Sequence, residues 1–227
     1  MLMMARTARL RKGIITGPDA TIFGLQAIWD TNSLSTYSFS ATDLGPAAAD
    51  KYIAMCLMFN NGSSINSIAS VIVGSQTCGR LVAQNGTNVG SEIWITDAAF
   101  PGTSATIVVT TAGAAFTRVV CVTYRLNFLQ SPSPQFSNHS SSGYPYSMSL
   151  GISAGGVGIG CCYTRNANTG GGTTWGGFSE DIDLLLGPTV DSYTSARTVS
   201  ATSGTGTVTI SSSAPGDVSA ACCASLR

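Results

Sequence analysis

Seven cysteines, eleven carboxylates and a single histidine are the groups with acid–base, nucleophilic or metal chemistry to offer in this 227-residue chain. The cysteines are Cys56, Cys78, Cys121, Cys161, Cys162, Cys222 and Cys223. None stands in Cys-x-x-Cys spacing and no histidine lies near them in sequence, so no metal site is expected. Cys161-Cys162 and Cys222-Cys223 are vicinal pairs. In a strand, neighbours point to opposite faces, so each pair offers one thiol to the core and one outward. These four are the candidates for a disulfide, which requires their strands to be neighbours. The alternative is that they are small buried hydrophobes. An odd count leaves one thiol free or bonded to another chain.

The other reactive groups form no catalytic set, and no catalytic or cofactor-binding residue is assigned. His139 is the only base for a Ser-His-Asp arrangement, and it lies in a Ser-rich irregular stretch that is a poor place to hold geometry. A two-carboxylate polysaccharide depolymerase would draw on Glu92 and Glu180. Glu180, Asp181 and Asp183 are the one acidic cluster. It reads as a solvated strand start, with a calcium site as the alternative, although the spacing does not fit an EF-hand loop. Gly156-Val157-Gly158-Ile159-Gly160 departs from the dinucleotide fingerprint and enters a strand, not a helix. Tyr144, Tyr146, Trp175 and Phe178 are flanked by Gly and Ser. They are candidates for a sugar-stacking platform, for a subunit interface, or for plain core packing.

These residues must be positioned by strands. From residue 31 onward, short runs rich in Val, Ile, Thr and Tyr alternate with Gly, Pro, Asn and Ser turns, and no amphipathic helix is expected. Strands are expected at 35–40, 51–60, 67–73, 78–83, 92–96, 105–111, 118–128, 147–152, 157–163, 182–186, 192–200, 205–210 and 218–224. Lys51–Asn60 is apolar on both faces, which marks a central strand between two covering layers. Ser131–Pro145 is the longest irregular stretch. The pattern implies an all-β, jelly-roll-like two-sheet β-sandwich over 31–227. Residues 1–30 read as an extended N-terminal arm. Arg6, Arg9, Arg11 and Lys12 give it charge, and Phe23 and Trp29 give it apolar anchors, so it is expected to attach the protein to a partner.

Composition limits the partners. Charged residues make up 10% of the chain and the formal net charge is zero, against roughly 25% charged residues in an ordinary soluble domain. Eleven cations in a neutral chain give no general nucleic-acid surface. No run of about 18 apolar residues exists, so no membrane insertion is expected. The first residues do not form a secretory signal, so synthesis in a cytoplasm is expected. Gly, Ser and Thr supply 26, 30 and 26 residues. A surface this poor in charge stays soluble through hydroxyls, or is covered by neighbours.

Several phrases taken together resemble structural proteins of tailed bacteriophages and prophages. Ala41-Thr42-Asp43-Leu44-Gly45 followed by Asp50-Lys51-Tyr52-Ile53-Ala54 is similar to their opening Asp-Leu-Gly … Asp-Arg-Tyr element. Ser67–Gly74 looks like their next strand. Ile93-Trp94-Ile95 with Pro101-Gly102-Thr103-Ser104-Ala105-Thr106-Ile107-Val108-Val109 resembles their Trp … Pro-x-Gly-Thr stretch. Gly155–Ile159 and Thr173-Thr174-Trp175 resemble later elements. The likeness spans roughly 41–225. It implies a β-sandwich virion component without catalytic residues, of the tail-fibre, collar or head-fibre and decoration type. It further implies a homo-oligomer, with a trimer expected, that binds other virion proteins through its arm. A host-surface glycan is the alternative partner. The cysteine content departs from the family pattern and keeps covalent cross-linking between subunits open.

Overall fold

The computed structural model describes residues 19–62, 65–140, 146–165, 173–186, 191–200, 203–212 and 218–227. In chain order the first eight strands are β1 (Thr21–Asp30), β2 (Thr36–Asp43), β3 (Tyr52–Asn60), β4 (Ile68–Val73), β5 (Gln76–Asn85), β6 (Gly90–Thr96), β7 (Ser104–Thr111) and β8 (Arg118–Asn127). The remainder are β9 (Phe136–Ser140), β10 (Tyr146–Ile152), β11 (Val157–Arg165), β12 (Thr173–Gly176), β13 (Ser179–Leu186), β14 (Asp191–Val199), β15 (Gly204–Ser212) and β16 (Val218–Leu226). No helix occurs among the described residues.

The all-β, sandwich-like expectation holds. Every strand expected from residue 35 onward is present. The structure adds three more and arranges the whole as three sheets rather than two. An eight-stranded antiparallel sheet runs β1-β8-β3-β6-β5-β4-β7-β2. A five-stranded sheet runs β13-β14-β11-β16-β9, and a three-stranded sheet runs β10-β15-β12.

The eight-stranded sheet curls until it is nearly closed. Its concave side holds a core of Tyr37, Ile53, Met55, Leu57, Phe59, Val71, Trp94, Val109 and Cys121. Its convex side packs on the five-stranded sheet through Ala54, Cys56, Met58, Ile93, Val122, Tyr124, Ile159, Cys161, Tyr163 and Cys222. β3 therefore buries both faces, with odd residues in one core and even residues in the other, as its unbroken apolar run requires. The five-stranded sheet is covered again on its far side by the three-stranded one. Met148, Leu150, Val208 and Ile210 meet Cys162, Ala196, Ala221 and Cys223 there.

Two sequence expectations change. Residues 21–30 are not part of an extended arm. They form β1, paired along its length with β8, because Ile22 and Ala27 pack into the inter-sheet core. The stretch 131–145 contains β9, which pairs with the edge of β16 and places His139 on a strand opposite Cys222.

The end of the curl is closed by a lysine. Lys51 is fully buried just before β3. Its Nζ donates to the carbonyls of Leu44 (3.0 Å), Pro46 (3.1 Å), Gly45 (3.4 Å) and Gly102. Burial, and then Arg125, hold its pKa below the usual lysine value. The ammonium gathers carbonyls that leave β2 and approach β7, so it fixes how two ends of the sheet meet. Lys51→Met leaves those carbonyls without a donor and costs about 2–4 kcal/mol. Urea denaturation of the variant should show that loss as a lower midpoint with an unchanged slope.

Candidate functional site

A cluster of polar side chains sits between the two big sheets. β3 ends where β8 begins, with Asn60 opposite Arg118. Arg118 Nη1 donates to Asp191 Oδ2 at 2.9 Å, and to Tyr193 Oη and the Leu186 carbonyl at 3.2 Å. Tyr163 Oη donates to the same Asp191 oxygen at 3.0 Å and accepts from Asn60 Nδ2 at 2.9 Å. Tyr163 and Tyr193 are register partners on β11 and β14, and their rings stack 4.5 Å apart and 5° from parallel. Burial pushes both phenols up, Tyr193 to about 12 despite the opposing effect of Arg118. The bonds of Asp191 and Arg118 run to each other and to neighbours within the fold, so the cluster fastens two sheets together. Tyr124 Oη to Ser195 Oγ (2.7 Å) and Ser91 Oγ to the Ala220 carbonyl (2.9 Å) fasten them elsewhere. The sequence signal for this cluster was an isolated charge at the end of an apolar strand, which is easily read as a solvated strand end.

The acids once considered for catalysis are separated. Glu92 lies on β6 inside the curl and is fully buried. It accepts from the Ile68 amide (3.1 Å), Asn85 Nδ2 (2.9 Å) and Trp94 Nε1 (2.8 Å), and lies 3.6 Å from Arg80. Glu180 is in another sheet, on β13. Burial first, and then Asp183 and Asp181, raise its pKa. Asp181 pairs with Arg197 at 3.4 Å, and Asp183 accepts from the Thr173 amide and Ser192 Oγ. Among the described residues, no group of three Cys, His, Asp or Glu is arranged to hold a metal. His139 is exposed, with Nδ1 2.6 Å from Gln84 Oε1.

The vicinal cysteines do alternate, but both of their faces are interior. β11 and β16 are antiparallel neighbours in which Cys161 stands directly opposite Cys222. These two point into the core against the eight-stranded sheet, and Cys162 and Cys223 point into the core against the three-stranded sheet. The expected outward thiol is therefore buried as well. All seven cysteines are free and buried, so none is presented for a cross-link between folded subunits. The Cys161 and Cys222 sulfurs are 3.5 Å apart.

The aromatic platform is corrected on the same grounds. Trp175 and Phe178 are only 7% and 8% exposed. They stack 6.2 Å apart in the outer core, and Trp175 Nε1 donates to Thr194 Oγ1 at 2.8 Å. The glycine run 156–160 makes room for them. A Cβ on Gly160 would lie 2.7 Å from the Trp175 ring, and one on Gly158 would lie 2.7 Å from Phe178. Tyr144 and the side chain of Tyr146 lie outside the described residues.

Of the expected anchoring residues, Arg6, Arg9, Arg11 and Lys12 also lie outside the described residues. Phe23 and Trp29 are on β1, 43% and 49% exposed. The Arg125 guanidinium sits 4.3 Å from the centre of the Phe23 ring. β1 and β2 are the two edges of the curled sheet. Between them runs a seam of about 430 Å³ lined by Gln26–Trp29 and Phe39–Thr42. Gln26 Nε2 donates across it to the Asp43 carbonyl at 3.2 Å. Comparison with family models, with curated proteins and with solved structures finds no match.

A buried Trp175 and a sugar-binding Trp175 predict different outcomes for one substitution. Trp175→Ala empties a packed site and orphans Thr194 Oγ1, at a cost of about 3–5 kcal/mol. Guanidinium unfolding followed by circular dichroism measures it. An unchanged midpoint would contradict the core placement.

Proposed function

We propose that the protein is a non-enzymatic structural subunit of a tailed-phage virion, a fibre, collar or decoration component. It is assembled in the host cytoplasm and released with the particle. It oligomerises through its β body, as a trimer, and attaches to other virion proteins through β1 and the segment that precedes it. The observation that carries this reading is β1 itself. An edge strand with one unpaired side presents two half-exposed aromatics and continues directly from the basic segment. Exposed edges and exposed aromatics in a charge-poor protein are features of surfaces covered by partners.

The resemblance of residues 41–225 to phage structural proteins supports the same reading. So does the use of the reactive groups: Glu92, Asp191 and Arg118 each serve contacts inside the fold. The glycan-binding alternative rested on Tyr144, Tyr146, Trp175 and Phe178; Trp175 and Phe178 pack in the core, and Tyr144 and the Tyr146 side chain lie outside the described residues. The depolymerase alternative rested on Glu92 and Glu180, which lie in different sheets.

The native mass of the purified full-length chain tests the proposal, together with immunoblotting of purified particles. The expected result is a discrete oligomer that co-purifies with particles. Phe23→Ser with Trp29→Ser should weaken attachment while leaving the thermal midpoint within a few degrees, because both rings are half exposed. A monomer that is absent from particles would overturn the proposal.

A further inference from the structure

From the register of β11 and β16 we infer that Cys161 and Cys222 are a covalent modification site, forming one cross-strand disulfide within the chain when the protein folds in the presence of a low-molecular-weight disulfide. The inference concerns the chain's own interior and stands whatever the chain assembles with.

Geometry selects this pair among the seven thiols. Cys161 and Cys222 are direct antiparallel partners, side by side on one face of a sheet. Direct partners have Cα atoms about 4.5–5.5 Å apart, inside the range that a disulfide spans. Their sulfurs, at 3.5 Å, already touch. Closing to the roughly 2.05 Å of a bond takes a small rotation about each Cα–Cβ bond. The other vicinal thiols do not share this placement. Cys162 is opposite Ala221 and Cys223 is opposite Gly160, so those two are diagonal neighbours. Diagonal positions lie about 7–8 Å apart, too far for a bridge. Cys78 and Cys121 belong to the separate core inside the curl.

Cys56 is the competitor. It reaches the same pocket from the facing eight-stranded sheet, with its sulfur 3.8 Å from the Gly160 carbonyl. A Cys56–Cys161 link would have to join two sheets packed face to face, where no hydrogen-bonded register sets the Cα spacing. A bond between adjacent strands asks for far less adjustment. In the closed core the three thiols are electrostatically unequal. Burial opposes ionisation at Cys161, but hydrogen bonds from Cys222, Cys56 and Ser91 outweigh it and draw its pKa below the ordinary thiol value. Burial, and then Cys161, push Cys56 and Cys222 up. Burial likewise pushes Cys78, Cys162 and Cys223 up to about 12.

The chemistry is thiol–disulfide exchange. One thiolate of the pair, at Cys161 or Cys222, attacks the small disulfide RSSR, forming a mixed disulfide and expelling one RS⁻. The other thiol loses its proton and attacks the protein sulfur of that mixed disulfide, expelling the second RS⁻. Two protein thiols are oxidised to one disulfide, and RSSR is reduced to two RSH. Because both sulfurs are buried in the folded chain, the exchange takes place while β16 is still docking.

Refolding from denaturant in a buffer of oxidised and reduced glutathione tests this without relying on access to a closed core. The product is alkylated under denaturing conditions, weighed intact and mapped by non-reducing proteolysis. The expected product is two hydrogen masses lighter, carries five alkylated cysteines and yields one cross-linked peptide pair, Cys161 with Cys222. Its thermal midpoint should exceed that of the reduced protein by roughly 5–10 °C. Cys162→Ser and Cys56→Ser should keep the link, and Cys222→Ser should abolish it. A map showing no link, a link from Cys56, or a link between chains would each overturn the assignment. The wild-type map alone decides the matter if a variant does not fold.

Discussion

The central strands of the five-stranded sheet, β14, β11 and β16, have no free face. They lie between a curled eight-stranded sheet on one side and a three-stranded sheet on the other, so they must present apolar or internally paired groups in both directions. This constraint governs the composition of the second half of the chain. It explains why β11 reads Val-Gly-Ile-Gly-Cys-Cys-Tyr-Thr and β16 reads Ser-Ala-Ala-Cys-Cys-Ala-Ser after Val218. Small residues let a second and a third layer approach closely, and free cysteine serves as a small hydrophobe. Where a large ring is needed, as at Trp175, a glycine on the facing strand gives it space.

The same constraint makes the few charges valuable. A charge inside a layered β protein is costly unless paired. Here Lys51 is surrounded by carbonyls, Glu92 by three donors, and Asp191 by Arg118 and a tyrosine. The low charge content therefore suits a layered fold that has little room for unpaired charge. Three of the charges among the described residues, Lys51, Glu92 and Asp191, lie inside and set how elements meet.

The sequence showed most of the strands and little of their arrangement. Alternation in β3 predicted two covering layers because a strand has only two faces and both were apolar. The same logic at Cys161-Cys162 predicted one buried thiol and one outward, since nothing local reveals that a third sheet covers the far side. Trp175 and Phe178 looked exposed because Gly and Ser surround them. In the fold their rings lie over Gly158 and Gly160 of β11. β1 was assigned to an arm because its apolar residues lack clear periodicity. The register shift between Gly24 and Gln26 breaks the alternation at that point. The network of Arg118, Asp191, Tyr163 and Tyr193 joins residues far apart in sequence, and no local pattern carries such a signal.

The strand order has a consequence for time rather than for shape. β1 pairs with β8, so Thr21 finds its partner at Asn127, and β3 also waits for β8. β11 waits in the same way for β16. Chains whose contacts are so distant in sequence close long loops before any contact rewards them, and they fold slowly. While this chain waits, β3 and the Val157–Thr164 part of β11 are uncharged edges open to any neighbour. Crowded synthesis of many copies then becomes a race between internal pairing and pairing with another chain, and the rate of β8 docking decides it.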